Sequence, residues 1–177
     1  MDEAPDLAAL LVRSVSAFND YRAEHPDHHV VLAGRKFERA ALSGANLRDA
    51  DLTDANLAWA NLDGARFEGA VLRRCRLEGA TLVGARLDDA RMQHANLRAT
   101  TLRGATLRRA VLLGCTFQGA DLRDAILDGA MMRRVSFCDA DLRGAAFKGA
   151  DFAEVDLRWA RCALDEIESD LSGARIR

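Results

Sequence analysis

The sequence predicts an all-β solenoid built from very short strands and corners, and three observations carry that prediction. A large apolar residue recurs at every fifth position from Phe37 to Leu157, 25 times in succession: 17 Leu, six Phe (Phe37, Phe67, Phe117, Phe137, Phe147, Phe152) and two Met (Met92, Met132). Two residues before each of these centres stands a small residue. It is Ala in 19 of the 25, with Cys75, Cys115, Thr100, Val135 and Val155 as variants and Arg35 as the exception. The inward positions therefore alternate in spacing, two residues and then three. A spacing of two is a strand, in which alternate side chains share a face. A spacing of three inserts one extra residue, so the chain bends after each centre. The spacings of three and four that mark a helix do not fit. The third observation is a longer period. Gly occupies the second position after the centre at 44, 64, 84, 104 and 144, with Asp124 as the only break in that column. Identical sides thus return every 20 residues, which makes four pentapeptides per turn. Each turn buries its apolar face only against its neighbours. Such a repeat defines scaffold, so it argues for a binding protein and against an enzyme.

Ala-Asn-Leu-Arg-Asp (45–49), Ala-Asp-Leu-Thr-Asp (50–54), Ala-Asn-Leu-Ala-Trp (55–59) and Ala-Asp-Leu-Arg-Gly (140–144) carry a resemblance. They resemble the A(D/N)LXX motif of the pentapeptide-repeat proteins. That resemblance implies a right-handed quadrilateral β-helix. Val30 and Leu32 fit the small and central positions, so the register extends back to Val30, giving 26 repeats and six and a half turns. At a strand spacing of ~4.8 Å per turn the rod is roughly 31 Å long.

The ends depart from the repeat and divide the chain into segments 1–29, 30–161 and 162–177. In the first, Leu7, Leu10, Leu11, Val15, Phe18 and Tyr21 fall at helical spacing, which predicts a helix over 6–24. His25-Pro26 closes it, because proline disfavours helix at the preceding residue. The helix is expected over the open first turn, where it covers strand edges that otherwise invite aggregation. Arg35, at an inward position near that end, is placed to reach the helix's acids. In the last segment, residues 163–170 read as a short helix with Leu164, Ile167 and Leu171 on one side. The stretch that follows resembles repeats displaced in phase. It either caps the last turn or pairs with a second copy. The resemblance implies a homodimer through Leu164, Ile167 and Leu171.

Function on a solenoid lives on its outward positions. Residues 35–161 carry 21 Lys or Arg against 17 acids, while 1–34 net −4 and 162–177 net −2. One side stands out, that with centres 52, 72, 92, 112, 132 and 152, hereafter the arginine side. Its outward residues include Val71, Val111, Leu113 and Met131, surrounded by Arg73, Arg74, Arg91, Arg133 and Arg134. Acids stand only at its ends: Asp51, Asp54, Asp151 and Glu154. Apolar residues among arginines match the composition of contact surfaces, and these nine are the candidate partner-binding residues. Scattered outward Val and Met are also tolerated on any surface. The adjoining glycine side, with Asn61, Asp63, Asp121, Asp124 and Asp141 beside Arg103, Arg123 and Arg143, reads as solvated.

No catalytic, cofactor or metal residues are assigned. His25, His28 and His29 cluster near Asp27 without further ligands at zinc-site spacing. His94 is a lone outward residue. Cys75 and Cys115 share an inward column two turns apart, too far to bridge. Cys138 is expected to face outward, and Cys162 lies at the end of the coil. Thiols without a framework suit the cytoplasm. No run of about 18 apolar residues predicts a membrane helix, and residues 1–5 do not open a secretory signal. The resemblance implies a protein partner. Its Qnr quinolone-resistance and MfpA-like members resemble duplex DNA in shape and charge, and they bind DNA gyrase or topoisomerase IV. A coil at +4 is opposite in sign to that mimicry, and the projecting loops of the Qnr members are absent between 37 and 159. Two further readings stand beside it: an interaction module with an unassigned partner, and nucleic-acid binding by the arginine side. The near-zero total charge weighs against the last of these.

Overall fold

The structure is a computed structural model, and it describes residues 6–162, 171 and 173–176. Two helices precede the coil, α1 (Leu7–Arg13) and α2 (Val15–Glu24). The single helix expected over 6–24 is broken at Ser14, whose backbone is extended (φ −159°, ψ 107°). The Ser14 N–H still closes α1 on the Leu10 carbonyl, while its Oγ accepts from the Ala17 N–H at 3.1 Å and caps α2. Serine offers the backbone this local alternative to a continuous helix. Asp6 caps α1 in the same way, accepting from the Ala8 and Ala9 N–H groups. Leu7, Ala8 and Leu11 of α1 and Phe18 of α2 are buried in one cluster with Leu32 and Phe37 of the first turn.

From Val31 onward the chain winds as a four-sided coil. The residue before each centre forms a parallel bridge with the residue 20 positions later, from Val31↔Asp51 to Asp141↔Arg161. The repeat of Leu42 shows the hydrogen bonding. Leu42 and Gly44 donate to the Asn61 and Asp63 carbonyls of the next turn at 2.7 and 2.9 Å. Ala45 donates back to Leu42 at 3.1 Å and closes the corner. Every corner residue from Gly34 to Trp159 has a positive φ, between 53° and 73°, and 14 of them are not glycine. Positive φ at the third residue of a hydrogen-bonded four-residue turn is the mark of type II.

All 25 centres are at most 3% exposed. Phe117, Phe137, Phe147 and Phe152 form a chain of ring contacts with centroids 5.1 to 6.4 Å apart toward the C-terminal end. Cys75 and Cys115 are buried, and their thiols donate to the Leu52 and Met92 carbonyls at 2.8 Å. Burial pushes both thiols up to about 12. Arg35 stands at the small-residue register but lies exposed, and a guanidinium nitrogen reaches to 3.8 Å from Asp6, an acid at the start of α1. One placement differs from the sequence expectation. Cys138, expected outward, is only 8% exposed.

Each end of the coil is finished differently. At the first turn no coil lies beneath, and Asn19 of α2 replaces part of the missing rung: its side chain donates to the Gly44 carbonyl and accepts from the Asn46 N–H. Arg22 bonds the Arg48 and His28 carbonyls. At the last turn the chain returns on itself. Asp156 bridges Arg175, 19 residues later rather than 20, and Leu171 packs on the core. The expected helix at 163–170, with Leu164 and Ile167, lies outside the described residues.

Candidate partner-binding side

The outward positions of a repeat first serve the backbone. Three of the five N–H groups in a repeat bond to neighbouring turns and a fourth closes the corner, which leaves the N–H after each centre. Asp or Asn before the centre accepts it: Asp51 from Thr53, Asn56 from Ala58, Asn61 from Asp63, Asp121 from Arg123 and Asp141 from Arg143. In three repeats where that residue is neither, an aspartate of the preceding turn substitutes: Asp63 for Val83, Asp88 for Arg108 and Asp128 for Lys148. The Asp/Asn of the motif is thus an acceptor for the fifth amide, an Asx turn repeated along the rod.

Several carboxylates are also held by arginine. Asp121, Asp141 and Asp156 each take two bonds from the guanidinium two residues on, at Arg123, Arg143 and Arg158. With the amide added, the Asp141 and Asp156 carboxyls are held down to about 2. At the corners the pairing runs between turns: Asp54 with Arg74, Asp89 with Arg109 and Glu154 with Arg134. Asp63, Asp121 and Asp141 of the glycine side are therefore structural. Two of the histidines near α2 are occupied as well: His28 Nδ1 meets the Tyr21 hydroxyl at 2.6 Å, and His25 stacks on the Tyr21 ring.

On the arginine side the structure brings the candidate residues together in three rows. Val71, Arg91, Val111 and Met131 are successive partners in one line of bridges. Arg73, Gln93, Leu113 and Arg133 form the row after the centres. Arg74 and Arg134 stand at the corner. Val71, Val111 and Leu113 are half-buried by their neighbours, and Met131 is 48% exposed. Arg74 and Arg134 are neutralised by Asp54 and Glu154, and Arg133 lies 4.0 Å from the same Glu154. Arg73 donates to Gln93, and Arg91 has no ion-pair partner among the described residues. The sequence reading missed Val31, which heads the same row at 59% exposed. Its signal was the register already extending to Val30. Of the residues assigned to a dimer contact, Leu171 packs on its own core, and Leu164 and Ile167 lie outside the described residues.

The family model for pentapeptide repeats matches residues 32–69, 50–89, 90–129 and 130–161, and the chain belongs to that family. No curated protein matches it. Among solved structures it is similar to HetL, a pentapeptide repeat protein involved in heterocyst differentiation regulation from the cyanobacterium Nostoc sp. strain PCC 7120. The two share 25% identity over 88% of this chain and 94% of that one, with a TM-score of 0.42. It is similar to a pentapeptide repeat protein from the Arabidopsis thaliana thylakoid lumen at 24% identity, over 75% and 72% of the two chains, TM-score 0.42. It is also similar to QnrB1, a plasmid-mediated fluoroquinolone resistance protein, at 18% identity, over 84% and 90%, TM-score 0.37. No helix among the described residues is long and apolar enough to cross a membrane.

Proposed function

We propose that this chain is a non-enzymatic scaffold, a right-handed four-sided solenoid that docks a protein partner on its arginine side. One observation carries the reading. Val71, Val111, Leu113 and Met131 stand in register with Arg73, Arg91 and Arg133 on a rod whose other acids and amides are largely committed to one another. A contact surface needs an apolar centre and groups still free to pair. The specific partner we propose, on the family resemblance, is a type II topoisomerase, DNA gyrase or topoisomerase IV. Free thiols at Cys75, Cys115, Cys138 and Cys162 support a reducing compartment such as the cytoplasm.

A supercoiling assay with purified protein, with and without a fluoroquinolone, tests the partner. Inhibition of supercoiling, or rescue from the drug, supports the topoisomerase. No effect at micromolar protein removes it. For the C-terminus we propose a cap within one chain rather than a dimer, because Arg175 pairs with the last turn and Leu171 packs on the core. Light scattering should give the mass of a single chain, and a doubled mass would overturn the cap.

A further inference from the structure

The arginines of this protein are not equally free. No Asp or Glu occurs between Asp89 and Asp121, and the stretch holds Arg91, Arg98, Arg103, Arg108 and Arg109. Arg109 is neutralised by Asp89 of the preceding turn. On the arginine side, Asp54 and Glu154 hold the corner arginines at either end. Asp51 and Asp151 accept the Thr53 and Ala153 amides. In the middle, Arg91 has no ion-pair partner among the described residues, and Arg73 on the adjacent turn donates to Gln93 and faces the Asp51 carboxylate without an ion pair to it. Beyond them the same rows turn apolar, at Val111, Leu113 and Met131.

We propose that the surface docking here is an acidic protein surface with an apolar flank, its carboxylates placed on Arg73 and Arg91 and its apolar residues on Val111, Leu113 and Met131. This rests on the docking reading above and adds the polarity of the contact. Covering Arg73 and Arg91 with a neutral surface would leave two desolvated guanidiniums unpaired, so the partner must supply the acids. Phosphates of a nucleic acid would also pair with them, but a phosphate backbone gives no apolar cover to Val111, Leu113 and Met131. The side is therefore matched to a polypeptide. Its polarity is the reverse of a DNA mimic, so a topoisomerase partner would be met at an acidic surface and not in its DNA-binding groove.

The test holds the full-length protein on a sensor surface and offers three probes of similar charge. These are poly-L-glutamate, a glutamate–leucine copolymer and a short DNA duplex. The copolymer should bind most tightly, and its binding should weaken about tenfold or more between low and high salt as exposed charges are screened. Arg73→Glu with Arg91→Glu should abolish binding of both polypeptides, with an unchanged melting curve. Leu113→Ser with Met131→Ser should reduce the copolymer to the level of poly-L-glutamate. Duplex DNA binding as tightly as the copolymer, failure of both polypeptides to bind, or binding that survives the charge reversal would each overturn the proposal. The supercoiling assay separates this failure from failure of the docking side. If Val111→Asp with Arg133→Glu leaves a topoisomerase effect untouched, the docking side falls. If that pair removes the effect and Arg73→Glu with Arg91→Glu does not, only the acidic contact falls.

Discussion

Asp141 shows what a single residue of the motif does. Its carboxylate accepts the Arg143 amide, takes two bonds from the Arg143 guanidinium and stands 3.8 Å from Arg123. Asp156 does the same with Arg158. Both carboxyls are held well below the usual value, at about 2. A group whose pKa is lower folded than unfolded stabilises the fold above its unfolded value, and that stabilisation is lost as pH falls through the folded value. Stability should therefore be level above about pH 4 and decline toward pH 2. Asp141→Asn with Asp156→Asn should flatten that decline in urea unfolding at each pH; a decline unchanged in the variant would refute the assignment. The inward residues answer to packing instead. Ala105 is fully buried, so Ala105→Leu should cost about 1–3 kcal/mol from overpacking, read from the same unfolding curves. The Leu and Ala positions were legible in the sequence because the period alone sets them inward. The reach of Arg35 to an acid of the N-terminal helix was legible as well. The burial of Cys138 was not, because a residue just after the centre has no apolar period to mark it.

At the scale of the element, the corner is the unit, and successive corners are coupled. The Trp59 indole lies along the rod over Gly79, where an added Cβ would collide with its Cε3. His94 lies over Gly114 and Asp124 over Gly144 in the same way. Gly84, in contrast, has nothing within 4 Å of that position. Both glycines have positive φ, so Ala at either carries backbone strain of roughly 1–2 kcal/mol. Gly79→Ala should cost more than Gly84→Ala because the indole must also leave the corner. Trp59→Ala should relieve that extra cost, a coupling of about 0.5 kcal/mol or more in a double-mutant cycle. Additive effects would show that the ring does not rest there. At the N-terminal end, Asn19→Ala removes both bonds of the substitute rung and should cost about 1 kcal/mol or more, measured by thermal unfolding. The sequence showed a helix at this end but not its division. Apolar spacing continues through Ser14, so periodicity carries no mark of the break. Nor did it show that Asn19 would pair with the coil, since a polar residue on a helix has no period to read.

For the whole molecule, stability is a sum of nearly identical interfaces between turns, because the backbone of the coil bonds either within its own corner or to the adjacent turn. The same architecture decides how much of the function is legible. A period of 20 sorts the outward residues into sides, so the arginine side is visible in the sequence as a column. Which arginines remain free is not visible there. Asp54, Asp89 and Glu154 each choose a partner across a turn, and only the structure shows that Arg73 and Arg91 form no ion pair among the described residues. The central claim is that the repeat divides this chain into an inward set that makes the fold, outward Asp and Asn that support its backbone, and an arginine side that the fold does not need. Chemical unfolding of two variants tests it most directly. Leu102→Ala should lose about 2–5 kcal/mol by opening a cavity in the apolar column, and Val111→Asp with Arg133→Glu should unfold at the wild-type midpoint. A neutral Leu102→Ala, or a double variant that melts early, would contradict the account.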